Sequence, residues 1–99
     1  MAVAHDAVSN STVAQTGNLS WTHTPVGTPA GAVVGISQDV TTADQVSGVT
    51  YGGVTMTRLS SIASSGGGDL GRSYLYFLGS GVPGGAQTVA VTVSGAASK

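Results

Sequence analysis

Gly79, Gly81 and Gly84 stand directly behind the apolar run "SYLYFL" and spell out the G-x-G-x-x-G spacing of a dinucleotide-binding turn. That chemistry needs a helix to begin at the glycines, because the pyrophosphate rests on the partial positive charge of a helix N-terminus. Pro83 and Gly85 break a helix there, and no Asp or Glu follows Asp69 to hold a ribose hydroxyl about 20 positions further on. The stretch predicts a hairpin-type connection leading into a strand, and no nucleotide site. "SSGGGDLGRS" lacks the Gly-Lys-Ser/Thr ending of a phosphate loop and reads as a slack loop.

Other reactive groups are few. His5 and His23 are the only imidazoles. His23 alternates with Leu19 and Trp21, where a hydrogen-bonded structural histidine is expected. His5 and Asp6 are neighbours, whose side chains leave a strand on opposite faces and cannot share a site. A Ser-His-Asp set can be assembled on paper, but serine is so abundant that the match carries no information. Asp39 and Asp44 flank "SQDVTTADQ"; calcium wants about six or more oxygens, and the dense Asp/Asn pattern of such a loop is missing, so a solvated loop is expected. There is no cysteine and no glutamate, which removes disulfides, thiolate metal sites and thiol nucleophiles and leaves few general acids or bases. The expectation is a protein without catalytic residues, metal or cofactor.

Aromatic rings are the remaining candidates for binding. Tyr74 and Tyr76, two apart, share one face of a strand, and with Tyr51 they are the residues an interaction surface would use. The plainer expectation is that one of the pair faces the core while the other rims it. Arg58 and Arg72 are expected to pair with Asp69 or Asp44 at the surface, a contact worth under about 1 kcal/mol.

The elements that must position these residues follow from composition and period. The chain has 99 residues, enough for one domain over 1–99 with a single core. Hydrophobic residues make up 40% and charged residues only 7%, against about 25% in an ordinary soluble domain. A net charge of −1 with three Lys/Arg leaves no basic patch, so nucleic acid is excluded as a partner. No apolar window approaches a membrane span, and "MAVAHDAVSN" has no basic n-region or long apolar h-region, which suggests synthesis in the cytoplasm. The sequons Asn10-Ser11-Thr12 and Asn18-Leu19-Ser20 are then coincidental.

Apolar residues recur with period two. "NLSWTHT" sets Leu19, Trp21 and His23 against Ser20, Thr22 and Thr24, and "QTVAVTVSG" sets Val89, Val91 and Val93 against Thr88, Ala90 and Thr92. "AVVGIS" is β-branched and nearly continuous, as a deeply buried strand would be, and "SYLYFL" is rich in aromatics that favour strands. In "VSGVTYGGVTMTRL", Gly52-Gly53 joins two alternating runs and supplies the positive φ of a tight hairpin turn. With "AVAHDAV" added, about seven strands result, at near 12-residue spacing. The fold expected is all-β, an antiparallel sandwich or barrel.

Taken in order, "LSWTHT", "AVVGIS", "VSGVTYGGVTMTRL" and "SYLYFLGSGVPGGAQTVAVTVSG" resemble a family of small β-sandwich proteins found among bacteriophage structural proteins and in some bacterial surface or secreted proteins. The resemblance spans roughly residues 17–95, and its most specific piece is the Thr-Tyr-Gly-Gly-Val-x-Met-Thr hairpin, followed by an aromatic strand, a Pro-Gly-Gly-Ala turn and a valine-alternating strand. It implies an immunoglobulin-like or jelly-roll sandwich with a virion structural role, and brings no catalytic residue with it. Longer members of that family continue with further strands where this chain reads "AASK", which implies either a compact version of the sandwich or one completed by a neighbour.

The function expected is an accessory or decoration protein on a phage capsid or tail, made in the host cytoplasm, with other virion proteins and copies of itself as partners. The alternative is a tail-fibre or surface module binding a receptor or host glycan through Tyr51, Tyr74 or Tyr76.

Overall fold

The computed structural model describes residues 6–11, 15–64 and 70–99. Among these, seven strands form and no helix: β1 (Leu19–His23), β2 (Ala32–Asp39), β3 (Val46–Tyr51), β4 (Val54–Thr55), β5 (Thr57–Ala63), β6 (Gly71–Leu78) and β7 (Gln87–Val93). They pair antiparallel into a four-stranded sheet, β1-β7-β3-β4, and a three-stranded sheet, β2-β6-β5. The period-two residues line the space between the sheets: Leu19, Val49, Tyr51, Val89 and Val91 from one, Val34, Ile36, Tyr74, Tyr76 and Leu78 from the other, form a single buried cluster. The all-β sandwich expected from periodicity is what the chain adopts.

The strand order is that of a wound ribbon. The first strand pairs with the last and the second with the second-last, the nested pairing of a jelly roll. An immunoglobulin domain instead keeps its second strand between its first and fifth in one sheet.

Four expectations need correction. "AVVGIS" is not a continuously buried strand; β2 runs on to Asp39 and alternates, with Val34, Ile36 and Gln38 buried and Val33, Gly35 and Ser37 outward. The reason is its place at the edge of an antiparallel sheet with one face in solvent. The Gly52-Gly53 turn forms as expected, with φ of 58° and 82° and Tyr51 opposite Val54. Its second arm, however, divides. After two residues Met56 turns into the core, its N–H still bonded to Val49 O at 2.9 Å, and the chain resumes as β5 in the opposite sheet. Next, residues 79–86 are not a hairpin connection: they carry the chain from β6 in one sheet to β7 in the other, with Gly81 and Gly85 at φ of 65° and 72°. Of the strand expected in "AVAHDAV", residues 2–5 lie outside the described residues and 6–8 are irregular, so the seventh strand comes from the β4/β5 division.

Because β4 and β5 are separated by Met56 alone, that side of the sandwich is closed by continuous chain. The other side, between edge strands β1 and β2, is open. Two described parts of the chain before β1 are anchored to the rest of the fold: Gln15 exchanges backbone hydrogen bonds with Lys99 at 3.1 and 2.9 Å at one end of the sandwich, and Ser9 meets Trp21 and His23 of β1 near the other. The C-terminal residues fold back over the first end, where Ser98 O accepts the Asp39 N–H at 2.9 Å. Lys99 is buried there with its ammonium on Gly95 and Ala97 carbonyls, and burial holds its pKa below the usual lysine value.

Candidate functional site

The fold turns all three candidate tyrosines inward. Tyr74 and Tyr76 share a face, as their spacing requires, but both are buried at 3% exposure; neither rims the core. Tyr51 is buried at 2%. What distinguishes them is where their hydroxyls go.

Tyr74 and Tyr76 belong to a satisfied polar network beside β5. The Tyr74 hydroxyl donates to Gln38 Oε1 at 2.8 Å and accepts the Gln45 N–H at 3.1 Å. Gln38, itself buried, returns its amide protons to the carbonyls of Thr41 and Ala43. Arg58 faces inward from β5, donates Nε to the Tyr76 hydroxyl at 2.9 Å, and lies 5.1 and 5.4 Å from the Tyr74 and Tyr76 ring centres. Its two terminal nitrogens grip Asp44 at 2.6 and 3.3 Å, the pairing expected from sequence. That bond, outweighing partial desolvation, lowers the Asp44 pKa below its ordinary value. Arg72 goes elsewhere, donating to Thr42 O at 2.9 Å and to Ser61 Oγ, and Asp69 lies outside the described residues. Asp39 accepts the N–H of Val40 at 2.8 Å, so Asp39 and Asp44 serve separate local tasks. The Tyr74 and Tyr76 hydroxyls, Gln38 and Arg58 each have hydrogen-bond partners within the protein, which makes this network scaffold.

The open side of the sandwich is different. Between β1 and β2, near the end of β3, lies a cleft of about 730 Å³ with Trp21, His23, Val34, Tyr51 and Val89 in its wall and Asp6 to Ser11 along it. Trp21 Nε1 donates to Ser9 Oγ at 3.1 Å, and Ser9 Oγ lies 2.7 Å from His23 Nδ1. Since an indole N–H only donates, Ser9 accepts there and its own proton is available for the imidazole. Asp6 does not complete a catalytic set. Its two oxygens take the N–H groups of Val26 and Gly27, each at 3.0 Å, and so tie the segment to the β1–β2 connection. His5 lies outside the described residues.

Behind this polar pair, the His23 and Tyr51 rings meet edge to face with centres 6.0 Å apart. The Tyr51 hydroxyl is shut off from water and has no hydrogen-bond partner, the one such buried side-chain group among the described residues. Leaving a hydroxyl in that state costs about 1–3 kcal/mol. Burial, reinforced by the Asp6 carboxylate, pushes the phenol pKa up and keeps it protonated. Sequence reading found His23 and Tyr51 but not Ser9, because one serine among many carries no signal before the chain is folded.

No protein-family model, curated protein or solved structure matches this chain.

Proposed function

We propose that this chain is a non-enzymatic structural module of a larger assembly, an accessory or decoration protein on a bacteriophage capsid or tail. The observation that supports it is the outer face of the three-stranded sheet. Ile62, Val33 and Leu59 stand there at 68, 62 and 56% exposure, with Leu75 and Phe77 half-exposed between them. The outward positions from Val33 to Ser37, Thr57 to Ile62 and Ser73 to Phe77 include no charged side chain. Such a face can be covered by another protein without burying an unpaired ion. Jelly-roll order is in keeping with this reading, though only by analogy of fold, since one fold hosts many functions.

A module of this kind works by mass action: binding the assembled state alone shifts the equilibrium toward it, and repetition over many copies multiplies modest contacts. Glycan recognition through Tyr51, Tyr74 and Tyr76 is the weaker reading, because the structure buries the rings it relied on. The test is copy number in purified particles together with a double substitution, Ile62→Lys and Leu75→Lys. The expected outcome is many copies per particle, incorporation lost in the variant, and a melting temperature within a few degrees of wild type. Particles that take up the variant as readily as the parent would count against the face, and absence of the protein from particles would reject the role.

A further inference from the structure

We propose that the cleft on the open side of the sandwich is a binding site for an uncharged, mostly apolar small molecule whose single oxygen acceptor takes the Tyr51 hydroxyl. This goes beyond the assembly role: Val33 and Phe77 border both the outer sheet face and the cleft, but Ile62 and Leu75, on which the assembly test acts, lie outside the cleft, so the two readings are tested separately.

Three observations fix the chemistry. The hydroxyl is the unpartnered polar group behind the cleft, whereas the Tyr74 and Tyr76 hydroxyls are satisfied by the scaffold. A ligand oxygen would supply the acceptor it lacks. The wall around it is apolar and aromatic, with Val34, Val89 and the rings of Trp21 and Tyr51, and its volume suits a small organic molecule. Among the described residues no Lys or Arg lines it, and the one carboxylate that does, Asp6, is already held by two backbone amides. An anion would therefore meet a negative charge with no counter-charge; Asn10, Ser11 and Thr28 also line the cleft, so a sugar is the alternative that the methyl glucoside probe tests.

The segment along the cleft allows entry. Among the described residues, Asp6 to Ser11 join no strand pairing and no backbone-to-backbone hydrogen bond; Ser9 and Asp6 anchor the segment through their side chains. Displacing it breaks those few contacts and widens the cleft that Tyr51 borders.

Trp21 is the only tryptophan, so its fluorescence and its indole N–H resonance both report on the cleft. The probes are camphor, a neutral bicyclic ketone; camphor-10-sulfonate, which adds a negative charge to the same skeleton; and methyl glucoside, which is neutral but polyhydroxylated. Camphor is expected to give a saturable change in both signals, with neither of the others doing so. Tyr51→Phe removes an unsatisfied hydroxyl and keeps the ring, so it is expected to fold with an equal or higher melting temperature and to bind camphor about tenfold more weakly. Absence of saturable camphor binding overturns the proposal. So does equal affinity in Tyr51→Phe, which would leave only apolar filling, or preference for the sulfonate or the glucoside.

Discussion

Val40 is the residue at which the backbone is held against its own preference. Its φ is 62°, a left-handed value that a β-branched side chain disfavours by about 1–2 kcal/mol. The fold imposes it because the chain must turn sharply after β2, with Asp39 Oδ1 and Asp39 O taking the N–H groups of Val40 and Thr41. The side chain itself is exposed and contributes little packing. Asparagine tolerates this conformation without glycine's extra freedom in the unfolded chain, so Val40→Asn is expected to stabilise by about 1 kcal/mol, read as a rise of about 4–8 °C in Tm. Arg58 is the converse, a residue whose shape the network uses fully. Arg58→Lys keeps the charge but cannot hold Asp44 with two nitrogens while bonding Tyr76, and should cost about 1–2 kcal/mol in urea unfolding. The same pair sets an acid limit. Because Asp44 has a lowered pKa in the folded protein, its contribution is complete above the ordinary value of 3.8 and fades as pH falls below it toward the folded value. An acid titration of stability should therefore lose this component in Asp44→Asn.

At the scale of elements, Gly52-Gly53 is the junction most legible from the residues alone, because two successive positive φ values admit little besides glycine. Gly53 has φ 82° and open space around its missing Cβ, so Gly53→Ala isolates backbone strain and should cost about 1–2 kcal/mol without displacing any neighbour. Alternation likewise announced which residues of β1, β6 and β7 share a face. It did not announce that "VTMTRL" divides. Val54, Met56 and Arg58 keep strand parity straight through the bend, and a change of sheet leaves no mark on a period-two pattern. For the same reason the Gly79–Gly85 stretch looked like a hairpin: glycines announce a turn, but the sheet that receives the next strand is chosen by long-range pairing. Nor does parity say which of two faces is wet. That is why Tyr74 and Tyr76 could be placed together but not placed inside, and why the cleft, built from the segment before β1 and the β1–β2 connection, was invisible until both sheets were in position.

The whole molecule is asymmetric about its sandwich axis, and that asymmetry should govern how it opens. One side is closed by chain running through Met56 from β4 to β5; on the other, β1 and β2 each have a single strand neighbour and are bridged by a connection and by the side-chain anchors of Ser9 and Asp6. Apart from β3, which has only the two-residue β4 beyond it, the central strands are the last two in sequence, β7 between β1 and β3 and β6 between β2 and β5, so each completes its sheet only when a strand from much earlier in the chain is present. Local opening draws on the least-connected elements first, and amide exchange measures the free energy of each. In native-state hydrogen exchange, amides of β6 and β7 are expected to exchange only through global unfolding, while β1 exchanges earlier through a partial opening that leaves β3 paired with β7. The Ser9→Ala variant should speed exchange in β1 selectively, because it removes the hydroxyl that both Trp21 and His23 contact. Equal acceleration in β5 would mean that the closed side yields as readily as the open one, and that the cleft is not where the sandwich parts.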